Sequence, residues 1–204
     1  MKTLKLLILY GIFFGQTLMA EECIYTAKQS ANNPYPERSF QGDCGRFLDD
    51  DNFRIYQRHL DRLLFRGDGL AQVFVGEKVF YVSKDGTSAR AHYFDNGADY
   101  FVEGLARTVS KGKYGFMDEK LNVVIKPTYD FAFSFEKGLA VVCNGCSLVP
   151  EGDHTMVSGG QWGAINKKGE MVYSVTCTKE GLYKKITEAP NQANSAKVKS
   201  CVDN

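Results

Sequence analysis

The sequence predicts a mainly β protein, an antiparallel β-repeat array of about three meander units with one short N-terminal helix. From Gly69 onward, apolar and polar residues alternate in short runs that are separated by Gly, Asp, Asn and Lys, a pattern typical of antiparallel strands. A Gly-Leu-Ala triplet recurs at Gly69, Gly104 and Gly138, as expected of a repeat protein. One earlier stretch repeats its apolar residues at helical spacing instead.

Residues 1–20 are predicted to be a secretory signal peptide. Lys2 and Lys5 form a basic region, an apolar run follows to Phe14, and Ala20 offers a small residue for cleavage, which is the composition of such signals. The apolar run is shorter than the stretch of about 20 residues that a membrane span needs; an uncleaved anchor is the alternative. We therefore expect a periplasmic or secreted chain without a membrane span after signal removal.

The charge balance argues against partners that bind by bulk electrostatics. The formal net charge is +1 at pH 7, so the chain has no excess charge with which to attract nucleic acid or anionic lipid. It also contains no phosphate-binding loop, zinc-protease motif or recognisable Ser-His-Asp set. We expect no catalytic residues, no cofactor and no metal, and a partner that is a protein or another envelope component.

All six cysteines follow the predicted signal peptide. An even number of cysteines in an exported chain predicts up to three disulfides, because the compartment is oxidising. The spacing alone does not select among the pairings. The disulfide candidates are Cys23, Cys44, Cys143, Cys146, Cys177 and Cys201.

Segment 21–68 is predicted to be irregular at first and then to form a helix that caps one end of the array. The helix is expected from about Asn52 to Arg66, because its apolar residues recur at helical spacing. Asp50 or Asp51 would accept hydrogen bonds from its first amides. Its apolar face would consist of Phe53, Tyr56, Leu60, Leu63 and Leu64.

Four arginines recur at every fourth position of the predicted helix. Like charges at this spacing repel each other by about 0.2–0.5 kcal/mol per pair in an isolated helix. One interpretation is a solvated polar face, and the other is an anion-binding stripe for a phosphorylated envelope component or an acidic protein. The four are Arg54, Arg58, Arg62 and Arg66.

Two aromatic-Gly pairs stand at equivalent places after the second and third Gly-Leu-Ala triplets. They are Tyr114-Gly115 and Trp162-Gly163, whereas the first unit has Val-Phe-Tyr-Val at 79–82. We expect each unit to be a three-stranded meander whose aromatic residue is buried between neighbouring units. The glycine would let another backbone or ring approach closely.

The second unit resembles a WG repeat, also called a KWG repeat. Its sequence, GLARTVSKGKYGFMDEKLNVVIKPTYDFAFSFEKGLAVV, is similar to the family pattern of Gly-Leu-Ala, Gly-Lys-Trp-Gly, a glycine turn, Val-Val-Ile and Tyr-Asp, with Tyr114 in place of Trp. The resemblance extends over about 69–172 and is weakest in the first unit. It implies a bacterial β-repeat array that serves binding and has no general catalytic motif. We place the repeat domain at 69–177 and a C-terminal closing strand and tail at 178–204.

The third unit carries an insertion at 143–160. Eleven positions separate Gly104 from Gly115, but twenty-five separate Gly138 from Gly163. Repeat proteins often place their individual features in such insertions, so this segment is the main candidate for interaction, although a solvated polar turn would have a similar composition. Its possible interaction residues are Glu151, Asp153 and His154.

The Cys143-Asn-Gly-Cys146 motif within the insertion allows three interpretations. Asn-Gly is a preferred two-residue hairpin turn, which would place the cysteines opposite each other as a structural disulfide. A redox-active pair would need Cys143 at the start of a helix, whereas its flanks are typical of strands. Zinc binding would add His154 and Cys177 as ligands.

The expected function is that of an exported, non-catalytic binding or scaffolding module. It would contact its partner through the exposed repeat face and the insertion, with Tyr129, Phe131 and Phe133 as aromatic candidates. Two alternatives stay open. One is a thiol-disulfide redox protein that uses Cys143 and Cys146, and the other is an inhibitor or immunity-type protein that blocks a secreted enzyme.

Overall fold

The computed structural model describes residues 21–31, 34–152, 154–188 and 198–201. Within them the chain is mainly β, with antiparallel strand pairs and two helices, which confirms the predicted class. No helix in the described part is long and apolar enough to cross a membrane. The predicted signal peptide, 1–20, lies outside the described residues.

The first part of the chain forms strands where an irregular segment and a long helix are predicted. Phe53 and Ile55 are buried with an exposed residue between them, because this stretch pairs with the strand before it. The backbone is still extended at Tyr56, and α1 (Gln57–Leu60) is a single helical turn. The predicted helix over 52–66 is therefore wrong. The strands are β1 (Glu21–Thr26), β2 (Arg38–Phe47) and β3 (Phe53–Ile55).

Three further runs of strands follow, and each run pairs as a three-stranded antiparallel meander. The first run is β4 (Leu70–Val75), β5 (Lys78–Ser83) and β6 (Ser88–Ala91). The second is β9 (Leu105–Ser110), β10 (Lys113–Asp118) and β11 (Val123–Tyr129). The third is β13 (Leu139–Glu151), β14 (His154–Asn166) and β15 (Met171–Cys177). The short strands between them are β7 (Tyr93–Phe94), β8 (Gly97–Ala98) and β12 (Phe131–Ala132).

The meanders are distributed over two main sheets. Nine strands pair in the order β11-β10-β9-β6-β5-β4-β1-β2-β3, four pair in the order β12-β13-β14-β15, and β7 pairs with β8. The largest buried cluster joins the second meander to the third and includes Phe116, Phe135, Trp162 and Tyr173. Burial of these rings between neighbouring meanders supplies the core that a single meander lacks.

The two aromatic-Gly pairs occupy equivalent positions in β10 and β14. Tyr114 pairs with Tyr129, and Trp162 pairs with Cys177, so both partners lie fifteen positions further along the chain. A register shift follows at once in both ladders, and both aromatic side chains are buried. The sequence motif therefore specifies one local strand geometry twice.

The glycines of these pairs are required because the partner strand arches over them. A Cβ at Gly163 would lie 2.6 Å from the carbonyl oxygen of Tyr173, and a Cβ at Gly115 would meet the carbonyl oxygen of Ile125. The first meander has Phe80 at the equivalent position, and β5 and β6 pair there without a register shift. A side chain at this position would clash with an arched partner strand, so only a unit with glycine there can form the arch.

The C-terminal part forms a helix and a short bridge rather than the predicted closing strand. Helix α2 (Lys179–Glu188) packs on the third meander through Leu182, which is fully buried. Lys199 then bridges to β15 in parallel, and the Cα atoms of Cys177 and Cys201 are 5.2 Å apart. These contacts cover part of the outer edge of β15, and it is α2, not an N-terminal helix, that covers this end of the strand array.

Candidate functional site

The insertion of the third meander forms a projecting β-ribbon. Beyond Cys143 and Trp162, β13 and β14 continue to pair as far as Glu151 and His154. Within the described residues, the pairing of β12 with β13 ends at Cys143, and the pairing of β15 with β14 ends at Trp162. We call the paired segment within 144–161 the outer ribbon.

The Asn-Gly dipeptide of the insertion does not form the predicted hairpin turn. Both cysteines lie in β13, with Cys143 opposite Trp162 and Cys146 opposite Gly159. Their Cα atoms are 6.2 Å apart, within the range of a disulfide. The strand pairing continues past them to Glu151, because the added residues extend both strands. This cysteine pair therefore braces one strand at the base of the outer ribbon.

The remaining cysteines decide between the other interpretations of the motif. Cys23 and Cys44 also lie at disulfide distance, with Cα atoms 6.0 Å apart. Cys177 and Cys201 lie at disulfide distance as well, with Cα atoms 5.2 Å apart. The proposed zinc ligands are therefore not brought together, and the described residues contain no group of three or more potential metal ligands. Cys143 is buried in a strand and does not begin a helix, so no helix N-terminus stabilises its thiolate in the way described for thiol oxidoreductases.

The outer ribbon forms a wall of a large groove, which we call the aromatic groove. Its volume is about 910 Å³. The other walls come from β7, from the segment that follows β12, and from the first turns of α2. Its main apolar lining residues are Tyr93, Phe94, Tyr114, Phe131, Phe133, Leu148, Met156, Val157 and Tyr183.

Several large apolar side chains in the aromatic groove are exposed. The exposed fraction is 45% for Phe94, 52% for Leu148, 46% for Met156 and 41% for Tyr183. They belong to β7, to both strands of the outer ribbon and to α2, so the fold brings together apolar groups from distant parts of the chain. A concentration of exposed apolar surface of this kind is typical of interaction sites.

A buried ion pair lies at the polar part of the groove. Arg107 lines the groove, and its Nη2 donates to Oδ1 of Asp99 at 2.6 Å while its Nε donates to Oδ2 at 3.0 Å. The guanidinium also lies 5.2 Å from the centre of the Phe94 ring. Because Asp99 neutralises Arg107, this part of the groove carries little net charge.

His92 lies next to this ion pair and also lines the groove. Burial, together with the positive charge of Arg107, lowers the pKa of His92 to about 4. The imidazole is therefore neutral near pH 7 and has one hydrogen-bond donor and one acceptor. Its ring centre is 5.1 Å from that of Tyr114, so the repeat signature residue helps to position it.

A single lysine stands at the rim where α2 begins. The ammonium nitrogen of Lys179 lies 5.3 Å from the centre of the Trp162 ring and 5.5 Å from that of Phe133. A cation over two aromatic faces is attracted by their negative electrostatic potential. Trp162 is itself buried and holds Lys179 in place from the core, while Tyr114 contributes directly to the lining of the groove.

Two of the polar residues predicted for interaction, Glu151 and His154, do not line the groove. Glu151 and His154 are exposed and lie opposite each other at the tip of the outer ribbon, and Asp153 lies outside the described residues. Of the aromatic candidates, Tyr129 is buried and does not line the groove, whereas Phe131 and Phe133 do line it.

The predicted arginine stripe is wrong, because the helix that would align its members does not form. Arg54 lies in β3, Arg58 lies in α1, and Arg62 and Arg66 follow that helical turn. Arg58 and Arg66 each form an ion pair with a nearby aspartate. The four side chains therefore do not share one face of a helix.

Sequence reasoning missed several of the residues that the groove brings together. His92 and Tyr183 belong to no motif, and their separation along the chain hides their proximity. Leu148 and Met156 did carry a signal, since they are large apolar residues within an otherwise polar insertion. In a two-stranded ribbon, alternation would place Leu148 on one face and Met156 on the other.

Comparison with known proteins identifies one segment of the chain. Residues 114–145 match a family model described as a WG containing repeat. No significant match was found among curated proteins or solved structures. The matched segment begins at Tyr114 and contains the glycine on which the β10–β11 arch depends. The chain therefore carries a repeat of the WG family, as the resemblance of its second unit predicts.

Proposed function

We propose that this protein is an exported, non-catalytic binding module that holds an extended, apolar segment of a partner protein in the aromatic groove. The observation that carries this proposal is the convergence of exposed apolar side chains from β7, the outer ribbon and α2 on one groove. Its volume of about 910 Å³ is near the upper end of the range of about 300–1,000 Å³ for ligand clefts.

The repeat scaffold supports this role by holding the walls in place. We propose that three repeat units, each consisting of one meander, form the scaffold. The second and third units have the arched aromatic-Gly geometry, and the first has regular pairing. Each unit buries its apolar face only against a neighbour, so the stack is rigid where its units meet. An insertion in one unit then projects from the stack and becomes available for binding.

The edges of the outer ribbon favour a protein segment over a small apolar molecule. Both strands of the ribbon lack a further strand partner within the described residues. An extended peptide can hydrogen-bond to such an edge while its alternate side chains enter a groove. Pro150 in β13 has no amide hydrogen to donate to an added peptide. The edge of β14 therefore offers the more complete set of hydrogen-bonding groups.

Export of the chain is part of the proposal. Three cysteine pairs at disulfide distance support it, because disulfides persist mainly in oxidising compartments. Cell fractionation combined with alkylation of free thiols before reduction tests this part. We expect the protein outside the cytoplasm with no alkylated cysteine; a cytoplasmic protein with free thiols would contradict export.

Selection from a random peptide library displayed on phage tests the binding function. The change is the double substitution Leu148→Ser and Met156→Ser, which removes apolar surface from one groove wall. Burial of each such side chain contributes on the order of 1.5–3 kcal/mol, so peptides selected on the natural protein should bind the variant at least about tenfold more weakly. Dissociation constants from fluorescence anisotropy give the comparison.

The matched control is the double substitution Val123→Ser and Val124→Ser. These side chains are 51% and 44% exposed on β11 and do not line the groove, so the selected peptides should bind this variant with unchanged affinity. Failure to select any peptide rich in apolar residues, or equal weakening by both double substitutions, would count against the groove as the binding site.

A further inference from the structure

The Cys143–Cys146 pair stands where the outer ribbon leaves the rest of the sheet. Residues three positions apart in an extended strand have Cα atoms about 10 Å apart, but here the distance is 6.2 Å. Strand β13 is therefore contracted between the two cysteines. The pairing with β14 nevertheless keeps one register from Leu139 to Glu151, so the opposite strand must bend at the same level.

Three glycines accommodate this bend. The φ angle is +75° at Gly145, and it is +72° and +73° at Gly159 and Gly160 on the opposite strand, in the region that favours glycine. A Cβ at Gly160 would lie 2.5 Å from Sγ of Cys143 and 2.6 Å from the amide nitrogen of Cys146. The two strands thus bend together at the cysteine pair, and we call this bend the hinge.

The hinge is anchored on the side of the core. The Gly145 amide donates to the Asp130 carboxylate at 2.7 Å, and that carboxylate also pairs with Lys113. The indole N–H of Trp162 donates to the Gly159 carbonyl at 3.0 Å. Beyond this level the outer ribbon has two strands in the described structure, and such ribbons are marginally stable by themselves. The geometry of the hinge therefore decides where the ribbon lies.

We propose that Cys143 and Cys146 form a redox-controlled hinge, whose disulfide holds the outer ribbon against the aromatic groove and whose reduction releases it. Leu148 and Val157 face each other across the ribbon and belong to the groove wall, so displacement of the ribbon opens that wall. The consequence for binding rests on the proposed function of the groove, whereas the change in the ribbon does not.

The redox step requires a dithiol as the reductant. One dithiol sulfur, as a thiolate, attacks Sγ of Cys146, which is partly exposed, whereas Cys143 is buried. The protein disulfide breaks, a mixed disulfide forms, and Cys143 leaves as a thiolate that takes up a proton. The second dithiol sulfur then displaces Cys146. Two electrons pass to the protein, which gains two thiols, and the dithiol becomes a disulfide.

Hydrogen exchange followed by mass spectrometry on the full chain tests the hinge without any groove ligand. In the C143S/C146S variant, amides of the outer ribbon should exchange at least about tenfold faster than in the natural protein, because local opening becomes easier. Exchange in 105–118 should not change. The matched control is C177S/C201S, in which the outer ribbon should exchange at the rate of the natural protein.

Treatment of the natural protein with dithiothreitol gives a second measurement that needs no substitution. Alkylation identifies the molecules reduced at Cys143 and Cys146, and their outer ribbon should exchange as fast as in the double variant. An outer ribbon that exchanges equally fast with and without this disulfide would overturn the hinge, and so would an increase that spreads to β9 and β10. Faster exchange with unchanged peptide binding would support the hinge and refute the proposed function of the groove.

Discussion

Arg107 and Asp99 form a buried ion pair that joins the two main sheets. Their side chains are 6% and 2% exposed, and the Arg107 backbone amide also donates to the Asp99 carboxylate at 2.8 Å. Through Nη1, Arg107 donates to the carbonyl oxygen of Ala132 in β12 at 3.2 Å. The guanidinium thus connects β9 of the nine-stranded sheet to the four-stranded sheet, directly beside the aromatic groove.

Replacement of Asp99 by Asn should destabilise the protein strongly. The substitution leaves the Arg107 charge buried without its counter-ion, which typically costs about 3–5 kcal/mol. Urea unfolding monitored by Trp162 fluorescence measures the loss. The control is Arg58→Gln, which removes an exposed pair whose side chains are 55% and 60% exposed and should cost about 1 kcal/mol or less. Equal small losses would show that the buried pair does not join the sheets.

His92 should make stability depend on pH in mildly acidic solution. Its pKa is lowered by burial and by Arg107 from 6.5 to about 4, so between these values the unfolded chain binds a proton that the folded chain does not. The contribution to the free energy of unfolding is complete above pH 6.5 and is lost as the pH falls towards 4. We expect about 1–3 kcal/mol over this interval.

The measurement for His92 is a series of urea unfolding curves from pH 7 to pH 4. The variant His92→Gln cannot take up this proton, so its stability should fall less over the same interval. The carboxylates titrate in both proteins, and subtraction of the two curves isolates the imidazole. Parallel curves would contradict the lowered pKa.

Gly163→Ala should destabilise the third meander. The added Cβ would lie 2.6 Å from the Tyr173 carbonyl oxygen and 2.9 Å from the Val175 amide nitrogen, and both are backbone atoms that cannot rotate away. Such overpacking costs about 1–3 kcal/mol, measurable as a lower midpoint of urea unfolding. Gly42→Ala is the control, since no atom lies within 4 Å of its added Cβ and the change should be within about 0.5 kcal/mol.

The Cys143–Cys146 and Cys177–Cys201 pairs should differ in their effect on stability. Cys177 and Cys201 are 24 positions apart, whereas Cys143 and Cys146 are 3 apart. Loop-closure entropy therefore predicts a loss of about 3.5 kcal/mol for C177S/C201S and about 2 kcal/mol for C143S/C146S. Thermal unfolding of both variants against the natural protein gives the order, and a larger loss for the short loop would contradict it.

Parts of the fold were predictable because their signals are local. The alternation after Gly69 predicts strands, and the two aromatic-Gly pairs predict equivalent strand positions, which the shared register of Tyr114 and Trp162 reproduces. Helix α2 was also signalled, since Leu182 and Ile186 are four positions apart and both pack on the core. The prediction of a strand there overlooked that spacing.

Other parts were not predictable because a distant strand decided them. Phe53 fits both the predicted helical face and an alternating pattern, whereas Ile55 fits only the alternating one, and pairing with β2 selects the strand. The Asn-Gly dipeptide favours a turn locally, but continuous pairing from Leu139 to Glu151 keeps it within a strand. In both cases long-range pairing outweighs a local preference of the backbone.

The sequence by itself determined the β class, the WG repeat and the presence of an insertion that begins at Cys143, because these follow from periodicities of a few residues. Only the tertiary structure decided the cysteine pairing, the course of the insertion as a ribbon and the aromatic groove beneath it. The groove unites Phe94, Leu148 and Tyr183, which no local pattern connects. Their proximity follows from how the meanders pack against each other, and that packing is set by contacts between residues far apart in the chain.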